Sequence, residues 1–412
     1  MERGSPAGTL PVLRKEVYMK TLIELFDIRP IENVLGTEVF RPQETIVLFP
    51  PEAGSEKLLK KTMEEYFRYR NCPVKVTVVP VSLLDASKVE KRLREIIASH
   101  EDCAIDISGG TDAALFAAGS VSSGCSVGVY TYSRKKHAFF EIKNAPYARN
   151  RPCSVTLDVK SCFLMAGGTL LPGRSGHEDP GTRLEQIDRL FRVFREHRRI
   201  WRRQIEYIQQ ISSSEPGKLH AAGPSVLKVD RRQVSADPAF FTDLEREGLI
   251  CGLENREGQT AFSFPDEAVR FWLRDIGAVL ELQVFRSCIG AGCFDDIVLS
   301  AVVNWQGGTT QRDAVTNEID VVAVRGVRPL FISCKTSEIR TEALNELEVL
   351  RSRFGGKESR AMIVTSSQAT RSRSVMRMRA AELGIEVVEA ENLATEKLAQ
   401  ILRQDESRIK RN

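Results

Sequence analysis

Two hydrophobic periods alternate along the first third of this 412-residue chain. TLIELFD (21–27), TIVLFPP (45–51), VKVTVVPV (74–81) and CAIDISGG (103–110) are compact apolar runs that read as strands. Between them, RPIENVLGTEVF (29–40), SEKLLKKTMEEYFRYR (55–70), DASKVEKRLREIIASH (85–100) and TDAALFAAGSVSSG (111–124) space their apolar residues as helices do. SVGVYTYS and HAFFEIKN read as closing strands. Apolar strands alternating with helices predict a parallel sheet covered on both faces, a Rossmann-like domain over 19–150. Residues 1–18 lack the apolar core of a signal peptide and are expected to be a disordered extension.

The pattern changes over 151–264, which reads as a connector. GRSGHEDPG (173–181) has linker composition, and 182–211 reads as one long helix. The stretch 216–264 holds a short helix ending at Gly248 and then a hairpin, as in a winged-helix-like module. From 265 to 412 the order is helix, three strands, helix, strand, helix, strand, helix: a second α/β unit with its own core.

Composition adds limits. Fifty-nine basic residues against 55 acidic ones leave a net charge of +4, too weak by itself to imply a polyanionic partner. Charge is clustered, however. Eight arginines face four acids between 182 and 206, which fits either a solvated helix face or a track for phosphates. Nine cysteines without a CxxC pair argue against a zinc ribbon and for free thiols in a reducing, cytoplasmic setting. No apolar run is long enough to span a membrane.

Two stretches carry candidate chemistry. DISGGTDAAL (106–115) places Ser108, Gly109, Gly110, Thr111 and Asp112 between a strand end and a helix start, where free N–H groups favour an anion. A turn that simply needs glycine and a threonine cap explains the same residues. The other stretch is NEIDVVAVRGVRPLFISCKTS (317–337). Residues two apart on a strand share a face, so Glu318 projects with Asp320 and Ser333 with Lys335. A turn centred on Gly326–Val327 sets Asp320 opposite Ser333 and Glu318 opposite Lys335. Two acids and a lysine on a hydrophobic hairpin suit phosphodiester hydrolysis. The acids and a backbone carbonyl near Cys334 would hold Mn²⁺ or Mg²⁺, and Lys335 would orient water or stabilise charge. A structural salt bridge is the alternative.

The glycine turn after the fourth strand resembles the CARF domains of type III CRISPR systems. That resemblance implies that residues 108–112, with Pro51 to Ser55 on the same edge, contact cyclic oligoadenylate across a homodimer. NEID…SCK resembles the PD-(D/E)XK nuclease fold, with Asp320 as first acid and Lys335 as the lysine. Ser333 departs from the pattern, because an acid usually stands there. The missing acid is then sought at Glu318, Asp275, Glu281, Glu346 or Glu348. Together, CARF-like domain, connector and nuclease-like domain resemble the CRISPR ancillary nucleases. FWLRDIGAVLE (271–281) also looks like that group. The resemblance implies a homodimer switched on by cyclic tetra-adenylate that cuts DNA or RNA with little sequence preference. The rival is a CARF-type transcription regulator whose nuclease-like domain is inert. Arg325, Arg328, Arg371, Arg373, Arg377 and Arg379 are candidate phosphate contacts, and Trp272 and Trp305 are candidate stacking platforms, core packing being the favoured reading for Trp272.

Overall fold

A computed structural model describes residues 19–171, 183–229, 232–305, 315–356, 359–367, 373–389 and 393–409. The expected extension 1–18, the expected linker 173–181, and Arg371 lie outside these residues. Side chains of 30, 373, 374 and 404–409 are also outside the description. The chain divides into two compact units, Met1–Val155 and Thr156–Asn412.

Unit 1 contains, in order, β1 (Thr21–Leu25), α1 (Leu35–Phe40), β2 (Glu44–Phe49), α2 (Glu56–Tyr69), β3 (Lys75–Pro80), α3 (Ala86–Ser99), β4 (Cys103–Asp106), α4 (Asp112–Ser123), β5 (Gly128–Ser133), β6 (Ala138–Lys143) and β7 (Arg151–Pro152). The sheet order is β3-β2-β1-β4-β5-β6-β7. β1 to β5 run parallel, and β6 and β7 close the edge antiparallel. One face carries Ile23, Leu25, Ile46, Leu48 and Ile105 under Val89, Leu93, Ala117 and Val121 of α3 and α4. An aromatic cluster of Phe40, Tyr130, Phe139 and Tyr147 also packs within this unit. Ser55, Asp85 and Thr111 cap the helices that follow them through side-chain oxygens. Each such cap is worth about 1 kcal/mol.

Unit 2 begins with α5 (Val159–Met165), β8 (Thr169–Leu171), α6 (Leu184–Glu196), α7 (Trp201–Ile211), β9 (His220–Pro224), β10 (Val226–Val229), β11 (Arg232–Ser235), α8 (Pro238–Arg246), β12 (Cys251–Arg256) and β13 (Gln259–Ser263). It continues with α9 (Glu267–Trp272), α10 (Ala278–Ala291), β14 (Asp296–Asn304), β15 (Thr316–Arg325), β16 (Arg328–Lys335), α11 (Thr341–Phe354), β17 (Arg360–Thr365), α12 (Arg373–Glu382), β18 (Ile385–Glu389) and α13 (Thr395–Ile409). Its main sheet has the order β18-β17-β16-β15-β14-β8. α10 and α13 belong to the core that covers Val321, Ala323, Ile332 and Met362. Phe163 of α5 and Phe354 of α11 pack with one another, and Phe163 reaches Phe331.

Three features differ from the sequence reading. The long helix expected over 182–211 is broken between α6 and α7. Residues 197–200 form a turn between them, with the Ile200 N–H on the His197 carbonyl at 3.0 Å and the His197 ring bonded to Asp243. β8, inside the expected connector, pairs with β14 and extends the C-terminal sheet. The stretch 156–264 belongs to the same compact unit as the C-terminal domain. The expected short helix and hairpin are α8 and β12–β13, with β9 as a third strand.

No helix among the described residues is long and apolar enough to cross a membrane. All nine cysteines are free.

Candidate functional site

In unit 1 the chain winds outward from β1 to β2 and β3 on one side, and to β4 and β5 on the other. Crevices at the carboxyl ends of strands form where an α/β sheet reverses direction in this way. The 108–112 turn lies there, at the end of β4. Ser108 is held rather than free: its N–H and hydroxyl both donate to Asp106 Oδ1, and its oxygen accepts from the Tyr132 N–H at 2.8 Å. Asp106 is buried, and loss of water raises its carboxyl and that of the buried Glu24.

Gly109 passes so close to β1 that a Cβ there would meet the Leu25 carbonyl oxygen and Asp27 Cβ, each at 2.8 Å. Gly110 has φ +95°, in the region that favours glycine. Thr111 accepts from the Ala114 N–H at 3.2 Å and donates to the Leu83 carbonyl. Asp112 is exposed in the first turn of α4. Residues 51–55 are exposed beyond β2, with Ser55 capping α2. Sequence reasoning missed Asp27, which bonds the Arg29 guanidinium and the Asn33 amide beside Gly109. Its only signal was its place just past the end of β1.

In unit 2 the pairs Arg325↔Arg328 and Val321↔Ile332 close a two-residue turn at Gly326–Val327, where Gly326 has φ +58°. This is the expected register. It brings Asp320 to Ser333, whose hydroxyl donates to Asp320 Oδ2 at 3.2 Å, and the Cys334 N–H donates to the same oxygen at 2.5 Å. The backbone and the serine thus fix the carboxylate's orientation. Ser300 of β14 falls between the pairs Leu299↔Val321 and Ala301↔Ile319, next to Asp320 across the ladder. It has φ +51°, and its buried Oγ has no partner among the described residues. A non-glycine residue in that region stores strain, often at a working site. Nothing in the sequence marked it.

Of the acids sought in place of the one absent at Ser333, Glu281 responds to the charge of Asp320. Glu281 of α10 is pushed up to about 8, first by burial, then by the charges of Asp320, Asp275 and Glu318, while Lys335 pulls it down. Asp320 is also raised by burial, against the lowering by the Cys334 N–H, Lys335 and Ser333. Asp275 accepts the Gly277 N–H at 2.7 Å ahead of α10. The charges of Asp320, Asp275 and Glu318 thus bear on Glu281, with Lys335 as the cation that offsets them. Such an excess of hard oxygen donors suits Mg²⁺ or Mn²⁺.

The remaining candidates are placed elsewhere. Glu346 accepts from Asn317, and Glu348 pairs with Arg351 at 2.5 Å. The Cys334 thiol is raised well above its usual range by burial, so it offers no thiolate. Arg377 is bound to the buried Glu389, and Arg379 donates to Asn345 at 3.3 Å, so both hold α12 in place. Trp272 is buried in the core. Trp305 donates to Asn317 at 2.8 Å and packs on Phe354, so it is part of the domain's packing.

Asp275, Glu281, Glu318, Asp320 and Lys335 all fall within one segment with a known relative. Residues 265–408 match the family model of the Card1-like endonuclease domain. The Card1-like segment thus spans α9 to α13 and carries every residue of the hairpin site. No curated protein matches the chain. Among solved structures, protein VC1899 from Vibrio cholerae has a TM-score of 0.70 at 17% identity, covering 94% of this chain and 98% of its own. Can2 from Sulfobacillus thermosulfidooxidans, solved in complex with cyclic tetra-adenylate, has a TM-score of 0.65 at 16% identity, covering 94% of this chain and 99% of its own. The chain therefore shares their fold over 94% of its length, and its C-terminal third matches the endonuclease-domain model. The resemblance to CRISPR ancillary nucleases holds on these grounds.

Proposed function

We propose that this protein is a metal-dependent nuclease of type III CRISPR defence, activated by cyclic oligoadenylate and cutting DNA or RNA with little sequence preference. Residues 19–150 form the ligand-sensing CARF domain, 151–264 the connector and 265–412 the PD-(D/E)XK-like nuclease domain. The reading rests on one observation above others: the hairpin register fixes Asp320 against Ser333 and the Cys334 N–H, next to Lys335, inside the segment that matches the Card1-like endonuclease model.

Asp320, Glu281 and Glu318 would hold Mn²⁺ or Mg²⁺, which when bound lowers the pKa of water and offsets charge on the phosphoryl group. Ser333 and the Cys334 N–H keep Asp320 in one orientation. Lys335 orients the attacking water or donates to the phosphoryl oxygens as negative charge builds on them. Attack at phosphorus recognises the backbone and not the base edges, which accounts for weak sequence preference.

At the other site, the backbone of Gly109 and Gly110 and the exposed Asp112 face the ligand. The Can2 complex makes cyclic tetra-adenylate the first ligand to test. The protein acts as a homodimer in the cytoplasm, and the ligand shifts the population of its states towards one that cuts.

The test is cleavage of labelled single-stranded DNA, plasmid and RNA with Mn²⁺, with and without cyclic tetra-adenylate, beside Asp320→Ala and Lys335→Ala. Ligand-dependent cutting lost in both variants is the expected result. Intact ligand binding with no cutting under any condition transfers the protein to the regulator reading, which the serine at 333 favours.

A further inference from the structure

A cleft of about 1120 Å³ runs beside the hairpin site within unit 2. Its walls come from α6, α7, α10 and α13, and its lining includes Thr336 and Ile276, the chain neighbours of Lys335 and Asp275. Arg192, Arg195, Arg198, Arg202, Arg286 and Arg403 line it, against the acids Asp188 and Glu396. Several of these arginines are already engaged. Arg192 pairs with Glu247, Arg202 with Glu206, Arg286 with Asp188, and Arg403 donates to the carbonyls of Gly290 and Ala291. Arg195 and Arg198 differ. Both are exposed, Arg195 bonds the Phe191 carbonyl at 3.3 Å, and Arg198 has no partner among the described residues.

The break between α6 and α7 bears on this arrangement. Arg198 lies in the turn between the two helices, while Arg195 is on the last turn of α6. The cleft lining also includes the partly buried Phe191 and Phe194. Exposed cations over an apolar, aromatic floor suit an unpaired nucleic-acid strand, whose phosphates need positive charge and whose bases need flat apolar contact. A duplex buries its base faces and has no use for the floor. An acidic peptide would use the charges and leave the aromatic rings uncovered.

We propose that this cleft binds the unpaired strand that runs to the scissile phosphate, with Arg195 and Arg198 contacting its phosphates. The direction of the strand rests on the nuclease reading above, but the cleft's occupancy does not. Binding without cutting therefore tests it.

The experiment is fluorescence anisotropy of a labelled single-stranded 20-mer with the full-length protein in EDTA, with and without cyclic tetra-adenylate. DNA, RNA and a duplex of the same sequence form separate arms, and poly-glutamate is the competitor. Arg195→Gln with Arg198→Gln should weaken binding of both single strands by about tenfold and reduce the salt slope by about 1.4, the loss of two phosphate contacts. Arg199→Gln, an exposed arginine outside the cleft lining, should change little. Thermal unfolding of each variant checks that it is folded. Parental binding by the double variant overturns the proposal. So does an equal loss from Arg199→Gln, tighter binding of the duplex, or displacement by poly-glutamate at matched charge.

Discussion

At the end of β4, Ser108 and Thr111 direct their hydroxyls into the fold, to Asp106 and to the Leu83 carbonyl. Across β15, β16 and α10, by contrast, the charges of Asp320, Asp275 and Glu318 bear on Glu281, with Lys335 as the offsetting cation. The first arrangement satisfies its polar side chains and leaves backbone and one exposed carboxylate at the surface. The second leaves charge poorly compensated, and strain at Ser300 sits next to it. Polar groups that satisfy each other build a shape, whereas groups that oppose each other await a cation or a reaction. The same short-motif logic thus marks a scaffold in one unit and chemistry in the other.

The largest effect should follow from breaking the charged set. Asp320→Ala is expected to lower the cleavage rate by about a thousandfold or more, because a ligand to the cation and the anchor of its geometry both go. Single-turnover cleavage with excess Mn²⁺ reads this directly. If Asp320 were only one arm of a salt bridge, the rate would hold and thermal stability would fall instead.

Glu281→Gln sharpens the comparison through pH. A carboxyl raised to about 8 in the folded protein, and near 4.5 when unfolded, binds more protons in the native state over that window. Metal-free stability should therefore fall as pH rises from about 4.5 through about 8, and the Gln variant should flatten that dependence. Cation binding requires the proton to leave, so parental Mn²⁺ affinity should climb over the upper part of the same range. Urea midpoints and Mn²⁺ titrations at several pH values check both signs. An unchanged stability slope in the variant would remove Glu281 from the site.

Gly109→Ala attacks the scaffold side. A Cβ 2.8 Å from the Leu25 carbonyl oxygen forces backbone apart and should cost about 1–3 kcal/mol in unit 1. Ligand affinity should drop with it. Ligand-independent metal binding at the hairpin should remain. A smaller loss is expected for Thr111→Ala, about 1 kcal/mol for a missing cap, seen as a modest fall in Tm.

Much of this was visible in the chain. The parallel sheet of unit 1 follows from apolar strands between capped helices, and Asp85 at the start of its helix was legible as a cap. The hairpin register was legible because Gly326 fixes the turn and two-residue periodicity then fixes every facing pair. The replacement acid was narrowed to a few residues and no further, since how α10 packs on the sheet is not encoded in local pattern. The helix break at 197–200 was hidden for a similar reason: the apolar period continues through it, and the Asp243 side chain that ties His197 lies far along the chain. Arg377 read as a phosphate contact because its partner, Glu389, is buried on another strand and local pattern does not pair them.

The crowding around Gly109 has a bearing on how such proteins diverge. Within the 108–112 turn, one residue is barred from any side chain, another needs a positive φ, and two are tied by their hydroxyls. Asp112 alone points outward without a role in holding the chain. Substitutions accepted over evolutionary time should therefore gather at that one position. Lineages can drift there and change what this edge of the sheet presents while every copy still folds the same way.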